Sequence, residues 1–447
     1  MHFYLPNFED LVDPEFNFEA DSYSPKRKDR WVHDWYAHQF FDQSIFDGML
    51  ISKAIVKPVA ERHIRRAGDV HRFVRLDPQV PIMGDCGAFT YLYEEEPVYS
   101  VQEVLDYYRE FGFDYGVSLD HLSFVTVDML ESALKRGAVK TRWWAGKTDE
   151  QLRQQRIDLP LQNAREFLAL WDKQRPRFKP IGIAQGGTPE LFYESVQQLI
   201  AMGYDHIALG GLVKSSDQEI LAVLRKIQPL LDSSIKLHIF GVARLSLVPE
   251  FARLGVTGAD SAAPLRRAFL GSGEDNYWTL EGQKYAAIRV PQAKSRHNRR
   301  GVDSPEKVLK NGKMSEETLI EMEQKTLRLL RALDRGEATL DQTLDAVLTY
   351  DRLHGIKRDY ESAYRRTLQD KPWKECDCPI CKSVGIEVII FRGNNRNRRR
   401  GFHNVKVFYD QFRQAVAAGP KPLAQPEGLR EKPGVFWLDR GLFERNE

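Results

Sequence analysis

The chain has 447 residues, of which 42% are hydrophobic and 29% are charged, and its formal net charge is +2. This length is enough for two to three domains, or for one large α/β barrel with additions. The hydrophobic content excludes wholesale disorder, collagen-like repeats and coiled coil as the main architecture. The longest apolar run, within 384–391, is too short to cross a membrane, and the acidic first residues do not resemble a secretory signal. We therefore expect a soluble, cytoplasmic protein.

Short apolar runs alternate with amphipathic helical segments from about residue 78 to 270. Runs such as VPIMGD, YGVSLD and KPIGIAQGG alternate with segments whose apolar residues lie three and four positions apart. At least six such βα units in series indicate a parallel α/β fold. Polar residues and glycines follow nearly every strand, which favours a (β/α)8 TIM barrel over a doubly wound sheet. We expect residues 1–290 to form an N-terminal region and this barrel.

The pattern changes after residue 290. Residues 291–314 are polar, basic and rich in helix breakers, which predicts a linker or exposed loop. Residues 315–370 contain two amphipathic segments, which predict a helical insertion. A cysteine-rich, zinc-binding subdomain is expected at 371–416, and the Pro-rich residues 417–447 form a predicted C-terminal tail.

Three of the four cysteines, Cys376, Cys378 and Cys381, fall within six residues, and His403 follows them. In a protein expected in the cytosol, such clustering indicates metal ligation rather than disulfides. Three thiolates and one imidazole complete a tetrahedral Zn2+ shell with no open position, so we predict a structural zinc site. Free thiols in a loop are the alternative.

The segment between the third cysteine and the histidine is strongly basic. Residues 392–400 read RGNNRNRRR, with five arginines and no acid. Such a run is commonly a solvated loop, but a zinc site would hold it in place, and arginines neutralise the phosphates of nucleic acids. We therefore predict an Arg-rich loop whose nucleic-acid contacts are Arg392, Arg396, Arg398, Arg399 and Arg400.

Polar side chains and glycines stand where the predicted strands end. They are Asp85, Asp120, Gln185, Gly210, Gly211 and Asp260. Each alone has an ordinary explanation, because aspartates often cap helices and glycine pairs often make turns. On one barrel rim, two carboxylates could flank a glycosidic carbon as nucleophile and general acid/base. The amide and the glycine backbone could bind a flat heterocycle, on which Phe89 could stack.

These residues stand in motifs that resemble the tRNA-guanine transglycosylase superfamily. The motifs are DCGAF (85–89), SLDH (118–121), GIAQGG (182–187), ALGGL (208–212), GVARLSLVPEFARLGVTGADSAAPLR (241–266) and the cysteine cluster with its histidine, in family order over roughly residues 80–410. The resemblance implies a (β/α)8 barrel with a structural zinc subdomain, which exchanges guanine for a 7-deazaguanine. The segment RGNNRNRRRGFHN is most similar to the DpdA branch, which inserts 7-cyano-7-deazaguanine (preQ0) into DNA.

The resemblance also implies catalytic roles. Asp260 matches the nucleophile that attacks C1′ of the target nucleoside, expels guanine and leaves a covalent glycosyl-enzyme intermediate. Asp85 matches the general acid/base that removes the N9 proton of the incoming base. One glycosidic bond replaces another, so the exchange itself needs no ATP.

Further matches concern the base and the polymer. Asp120 matches the residue that binds the pyrimidine edge of the purine, and Gln185 matches one that reads its O6 side together with the glycine backbone of the GGL motif. Phe89 matches the aromatic that stacks on the base. Arg266 keeps its place after the nucleophile and is included among the predicted nucleic-acid contacts.

One departure from the family bears on the substrate. Family members that act on tRNA often carry an acidic residue a few positions beyond the GGL motif, which helps to recognise an aminomethyl group on the incoming base. In this sequence the segment reads GGLVKSS, with Lys214 and Ser216 and no acidic residue. Its absence suits a neutral cyano substituent. The basic segment and the DpdA resemblance favour DNA, although discrimination by the 2′-hydroxyl cannot be read from sequence.

Three other interpretations stay open at this point. The first is a tRNA-guanine transglycosylase that inserts a 7-deazaguanine into tRNA. The second is an inactive barrel that binds nucleic acid, against which the intact Asp85 and Asp260 argue. The third is a sugar-cleaving hydrolase on a similar barrel, which would not explain the zinc module or the arginines. The DpdA resemblance further implies preQ0 free base as a substrate and an accessory ATPase as a partner.

Overall fold

A computed structural model describes residues 1–6, 9–270, 273–293, 314–354 and 359–419. These residues form two compact units. The barrel unit contains residues 1–6, 46–262 and 412–419, and the helical unit contains the described residues of 9–45 and 263–411. These bounds differ from the predicted ones: residues 9–45 and the described residues of 263–290 belong to the helical unit, and residues 412–419 belong to the barrel unit.

Ion pairs over long sequence distances explain why residues 9–45 belong to the helical unit. Asp10 pairs with Arg398, with 2.9 Å between Oδ1 and Nε, and Asp21 pairs with Arg396. The partners are 388 and 375 residues apart in sequence. No local sequence pattern reveals such pairs.

Eight parallel strands close the barrel unit in chain order. They are β1 (His2–Pro6), β2 (Gly48–Ser52), β3 (Ile82–Asp85), β4 (Tyr115–Val117), β5 (Lys179–Ala184), β6 (His206–Leu209), β7 (Lys236–Ile239) and β8 (Val256–Asp260). Strand β8 pairs with β1, with Asp260 opposite Tyr4, which closes the ring. The predicted (β/α)8 barrel is confirmed, although the predicted alternation began near residue 78 and missed β1 and β2.

Helices, numbered along the whole chain, follow the strands of the barrel unit. They are α2 (Pro58–Ala67), α3 (Val70–Val74), α4 (Val101–Phe111), α5 (Val127–Lys135), α6 (Asp149–Gln174), α7 (Pro189–Met202), α8 (Asp217–Ile227) and α9 (Val248–Arg253). Capping boxes at Ser100, Thr148 and Ser216 begin α4, α6 and α8, because each hydroxyl accepts a backbone N–H that the helix leaves unpaired. Short 3-10 helices lie at Ala88–Tyr91, Leu212–Lys214 and Gln228–Leu230.

Two apolar layers hold the barrel unit together. The first layer contains buried side chains of the strands: Tyr4, Leu50, Met83, Val117, Ile181, Ile183 and Ala208. The second lies between helices and strands, where Val196, Leu224 and Phe251 are fully buried. This packing fixes the strand ends that carry the candidate site.

The helical unit contains α1 (Arg30–His33), α10 (Ala263–Arg267), α11 (Glu316–Arg335), α12 (Leu340–Leu353), α13 (Glu361–Asp370), α14 (Pro372–Glu375), α15 (Pro379–Val384) and α16 (Gly393–Ala418), the last up to residue 411. Short 3-10 helices lie at Ala37–Phe40 and Gly385–Ile389. Strand β9 (Tyr277–Trp278) pairs antiparallel with β10 (Lys284–Tyr285), and β11 (Ile288–Arg289) pairs parallel with β12 (Ile390–Phe391).

Helices α11 to α13 occupy most of the region predicted as a helical insertion. Residues 294–313 of the predicted linker and 420–447 of the predicted tail lie outside the described residues. Among the helices that the structure describes, none combines the length and apolar character that spanning a membrane requires.

Candidate active site and metal centre

The two predicted catalytic carboxylates stand at strand ends of the barrel unit. Asp85 is the last residue of β3 and Asp260 is the last residue of β8. In a (β/α)8 barrel the carboxyl ends of all strands meet at one face, where active sites are built. Burial first, and the negative charge of Asp260 in addition, raise the pKa of Asp85.

The surroundings of Asp85 raise its pKa, so it keeps its proton to a higher pH than an exposed carboxyl group does. Burial is the largest cause of its raised pKa, and a hydrogen bond from Ser52 Oγ to Asp85 Oδ2, 2.5 Å long, acts in the opposite direction. Ser52 ends β2 and lies opposite Asp85 in the β2–β3 pairing. A carboxyl group with a raised pKa is suited to general acid catalysis near neutral pH.

Asp260 is held by two hydrogen bonds to one of its oxygens. His238 Nε2 and the backbone N–H of Gly241 both lie 3.0 Å from Asp260 Oδ1. The described residues make no hydrogen bond to Oδ2, and the residue is only 4% exposed. One oxygen is thus fixed while the lone pairs of the other stay available to a substrate.

Asp120 and Gln185 form a second polar pair after β4 and β5. Gln185 Nε2 donates to both carboxylate oxygens of Asp120, at 2.9 and 3.1 Å, and Gln185 Oε1 accepts from Ser123 Oγ at 3.1 Å. Burial raises the pKa of Asp120 to about 7, although the hydrogen bond from Gln185 lowers it. The carboxyl group can therefore change its charge near neutral pH.

Glycine is required where β6 ends beside this pair. A Cβ atom on Gly210 would lie 2.1 Å from Gln185 Nε2, and one on Gly211 would lie 2.8 Å from Gln185 Oε1. Gly211 also has φ = +79°, which side-chain-bearing residues rarely adopt. The two glycines let the backbone approach the Asp120–Gln185 pair closely.

Phe89 lies in the 3-10 helix Ala88–Tyr91 that follows β3. Its ring is partly exposed and packs at a tilt against Phe124, with 6.1 Å between the ring centroids. Lys214 Nζ lies 4.6 Å from the centroid of the Phe124 ring. The Phe89 ring can offer a stacking surface, and its role stays a prediction.

The structure places every predicted catalytic or base-binding residue at a strand end or in the segment that follows it. Sequence reasoning missed Ser52, Ser123 and His238. Ser52 ends a strand, so the same rule would have found it, and Ser123 follows Asp120 by three residues. His238 lies inside β7, where nothing in the sequence distinguishes it from a buried core histidine.

The predicted metal ligands come together in the helical unit. The Sγ atoms of Cys376, Cys378 and Cys381 lie 3.6, 3.4 and 3.5 Å from His403 Nδ1. All four ligand atoms lie within 4.8 Å of one another. In a tetrahedral zinc site, Zn–S bonds of about 2.3 Å and Zn–N bonds of about 2.0–2.1 Å separate sulfur from nitrogen by roughly 3.6 Å. The four side chains therefore fit a metal ion of this kind.

The surroundings of the cluster orient its histidine. The Nε2 atom of His403 lies 2.8 Å from the backbone oxygen of Trp278, so Nε2–H donates there and Nδ1 is left for a metal. The Tyr277 ring stacks on the imidazole with 4.1 Å between centroids, and its hydroxyl lies 3.2 Å from Cys381 Sγ. Four protein ligands with no open position are typical of a structural metal site.

The Arg-rich segment is not a loop, which corrects the prediction. After Arg392 it forms the first turns of α16, and the arginine side chains point inward. The five residues are at most 8% exposed: Arg392, Arg396, Arg398, Arg399 and Arg400. A helix satisfies the backbone of this segment while its side chains find partners elsewhere in the helical unit.

Acidic side chains of the helical unit pair with these arginines. Arg392 Nη2 lies 2.6 Å from Glu323 Oε1, and Arg396 Nε lies 2.6 Å from Glu387 Oε2. Asp21 contacts both arginines. A phosphate would have to displace these carboxylates, because buried guanidinium groups are stable only when paired.

Arg399 and Arg400 use backbone oxygens in the same way. Arg399 Nη2 donates to the backbone oxygen of Asp13 at 2.6 Å, and Arg400 Nε donates to that of Ala268 at 2.9 Å. Arg266 is also buried, at 8% exposure. The geometry of these residues thus gives no support to the predicted nucleic-acid contacts and indicates a packing role.

Comparisons with known proteins agree with this fold and site. The sequence model of the family described as "Queuine tRNA-ribosyltransferase" matches residues 48–291. A "DNA-guanine transglycosylase" of Salmonella montevideo is 38% identical over 430 residues, which cover 93% of this chain and 98% of that protein.

Queuine tRNA-ribosyltransferases match over a shorter stretch. That of Actinobacillus pleuropneumoniae serotype 5b is 34% identical over 116 residues, or 24% of this chain and 30% of that protein. That of Acinetobacter baylyi is 31% identical over 124 residues, or 27% of this chain and 30% of that protein. The predicted resemblance is confirmed: the chain belongs to the queuine tRNA-ribosyltransferase family and is a guanine transglycosylase.

Proposed function

We propose that this protein replaces guanine in DNA by 7-cyano-7-deazaguanine (preQ0) through a covalent intermediate on Asp260. The observation that carries the choice of polymer is the extent of similarity. The DNA-guanine transglycosylase of Salmonella montevideo is matched over 98% of its length, whereas the tRNA enzymes named above are matched over 30% of theirs. The choice of preQ0 rests on the DpdA resemblance and on Lys214, which stands where an acid would suit an aminomethyl substituent.

The carboxylates at the ends of β3 and β8 support a two-step exchange. In the first step Asp260 Oδ2 forms a bond to C1′ while the C1′–N9 bond breaks, and guanine leaves with the electron pair. Asp85 donates a proton to the departing base, which its raised pKa favours. In the second step N9 of the incoming base attacks C1′, Asp85 takes the N9 proton, and the ester bond to Asp260 breaks.

Asp120 and Gln185 supply recognition of the base. An ionised Asp120 accepts hydrogen bonds from the N–H groups on the pyrimidine edge of guanine or preQ0. Gln185 and the Gly211 backbone face the O6 side, and Phe89 stacks on the ring. The nucleotide has to leave its base stack to reach this site, at a cost of a few kcal/mol in a duplex.

The raised pKa of Asp120 predicts how base binding depends on pH. The carboxyl group has a pKa of about 7 and is neutral below that value, where it loses one acceptor function. We expect the KM for guanine to rise as the pH falls, approaching about tenfold per pH unit below the pKa. Steady-state exchange of labelled guanine between about pH 5.5 and 8.5 measures this. The Asp120→Asn variant has no such group, so its KM stays high and flat; a flat KM in the wild type contradicts the role.

Nucleoside mass spectrometry tests the polymer. Cells that express the protein with a supply of preQ0 provide both DNA and tRNA for digestion, and cells with the Asp260→Ala variant are the control. We expect the preQ0 deoxynucleoside in DNA of the first cells and in neither polymer of the control. Modified base in tRNA alone would overturn the choice of DNA and support a tRNA-guanine transglycosylase.

We also propose that the Cys3His cluster holds Zn2+, which has a structural role. All four positions of the tetrahedral shell are filled by protein atoms, so a metal there has no open position for a substrate. We further propose that the protein works with an accessory ATPase that opens or distorts DNA, which rests on the DpdA resemblance. We also propose a cytoplasmic location, which rests on the sequence. Expression with and without the neighbouring genes tests whether the ATPase is required.

A further inference from the structure

His238 is a fully buried residue of β7 that contacts the proposed nucleophile. Its Nε2 atom lies 3.0 Å from Asp260 Oδ1, and the residue has no exposed surface. We infer that His238 is a positioning residue, which fixes Oδ1 of Asp260 so that Oδ2 is the oxygen that attacks C1′. This inference rests on the proposed function, because it assigns a role within the same exchange reaction.

The barrel makes room for this side chain at two places. The pairing of β7 with β8 shifts register between Leu237 and His238. Such irregularities re-aim side chains and are common next to active sites. A Cβ atom on Gly258 would lie 2.8 Å from His238 Nδ1, so glycine in β8 leaves space for the imidazole. Both features act on the orientation of one ring.

The surroundings of the ring decide which nitrogen carries the proton. The edges and faces of Tyr4 and Phe240 lie against it, with 5.5 and 4.8 Å between ring centroids. His238 Nδ1 is buried and has no hydrogen-bond partner among the described residues. In the neutral ring the proton therefore lies on Nε2, where the Asp260 carboxylate accepts it.

The contact does more than fill space, because it acts on the oxygen that does not react. When Oδ2 forms the ester with C1′, Oδ1 becomes the carbonyl oxygen, and the carboxylate charge returns when the incoming base breaks that ester. His238 Nε2 and the Gly241 N–H both contact Oδ1 of the free side chain, and in the proposed ester they would face its carbonyl oxygen. Preorganised donors of this kind stabilise developing charge without having to reorganise.

Three proteins test the role: wild type, His238→Phe and His238→Gln. Phenylalanine keeps a planar ring without a donor, whereas the glutamine amide reaches about as far as Nε2 and keeps one. We expect His238→Phe to lower kcat for guanine exchange by about 100-fold with an unchanged KM for guanine. We expect His238→Gln to recover about tenfold of that loss. Thermal unfolding of each variant is measured alongside, and the Gln variant serves on its own if the Phe variant does not fold.

The outcomes separate this inference from the proposed function. Wild-type protein that exchanges guanine while His238→Phe is equally active would overturn the positioning role and leave the function standing. A loss of kcat that glutamine does not relieve, or that appears only as a raised KM, would also overturn it. Wild-type protein that exchanges no guanine in DNA or tRNA would overturn the proposed function and, with it, the role of His238.

Discussion

The Asp260→Asn variant is expected to lose base exchange, with kcat lowered by at least about 10³-fold. Asparagine keeps the shape of the side chain and an Oδ1 that accepts from His238 Nε2 and the Gly241 N–H, both 3.0 Å away in the wild type. It lacks the anionic oxygen that, in the proposed reaction, forms the bond to C1′. The fold should therefore survive while the chemistry stops.

Two measurements check this result. Labelled guanine exchange gives kcat, and mass spectrometry of denatured protein, incubated with substrate and no incoming base, detects the covalent adduct. Asp232→Asn is the matched control, because Asp232 lies exposed between α8 and β7 and, within the described part of the chain, makes hydrogen bonds with Ser234 and Ile235. We expect the adduct in the wild type and the control, and none in Asp260→Asn. A variant that retains the adduct would assign the nucleophile to another residue.

The sequence allowed the barrel to be predicted because its signals are local. Short apolar strands and amphipathic helices repeat from about residue 78, and the polar residues that end the strands, Asp85 and Asp260 among them, are visible one by one. The first two strands escaped because the long segment between them, 9–45, belongs to the helical unit. A long segment that belongs to another unit interrupts the alternation of strands and helices, so the first two strands are not part of a repeating pattern in the sequence.

The arginine segment shows where local reasoning fails. Considered with their sequence neighbours alone, five arginines without an acid between them indicate a phosphate-binding loop. Some of their acidic partners lie far away along the chain: Asp21 is 375 residues from Arg396, and Asp10 is 388 residues from Arg398. Arg392, Arg396 and Arg398 pair with acidic side chains, whereas Arg399 and Arg400 donate to backbone oxygens. These buried contacts hold the segment within the helical unit.

The base pocket was predictable in its residue types and not in its contacts. The two glycines of the GGL motif are visible in the sequence, but the reason for them is not. Only the structure shows that Cβ atoms on Gly210 and Gly211 would collide with the Gln185 side chain. The pKa of Asp120 likewise depends on burial, which a sequence does not give. His238 was missed for the same reason, because its contact with Asp260 depends on the pairing of β7 with β8.

Loss of the metal centre is expected to destabilise the helical unit strongly. The cluster joins the segment 376–381 to α16 through His403. Structural zinc binds such sites with about 10–16 kcal/mol, and this free energy is coupled to folding. We expect Cys381→Ala to lose the metal and to lower the free energy of unfolding by at least about 3 kcal/mol.

Metal content and denaturation together test this expectation. Cys86→Ala is the matched control, because Cys86 is a buried cysteine of the barrel unit that contacts Tyr91 and lies outside the cluster. Elemental analysis should find one zinc per chain in the wild type and in Cys86→Ala, and none in Cys381→Ala. A chelator that strips the metal should reproduce the stability of Cys381→Ala in the wild type. Full stability after metal removal would contradict the structural role, because the four ligands would then be held by packing alone.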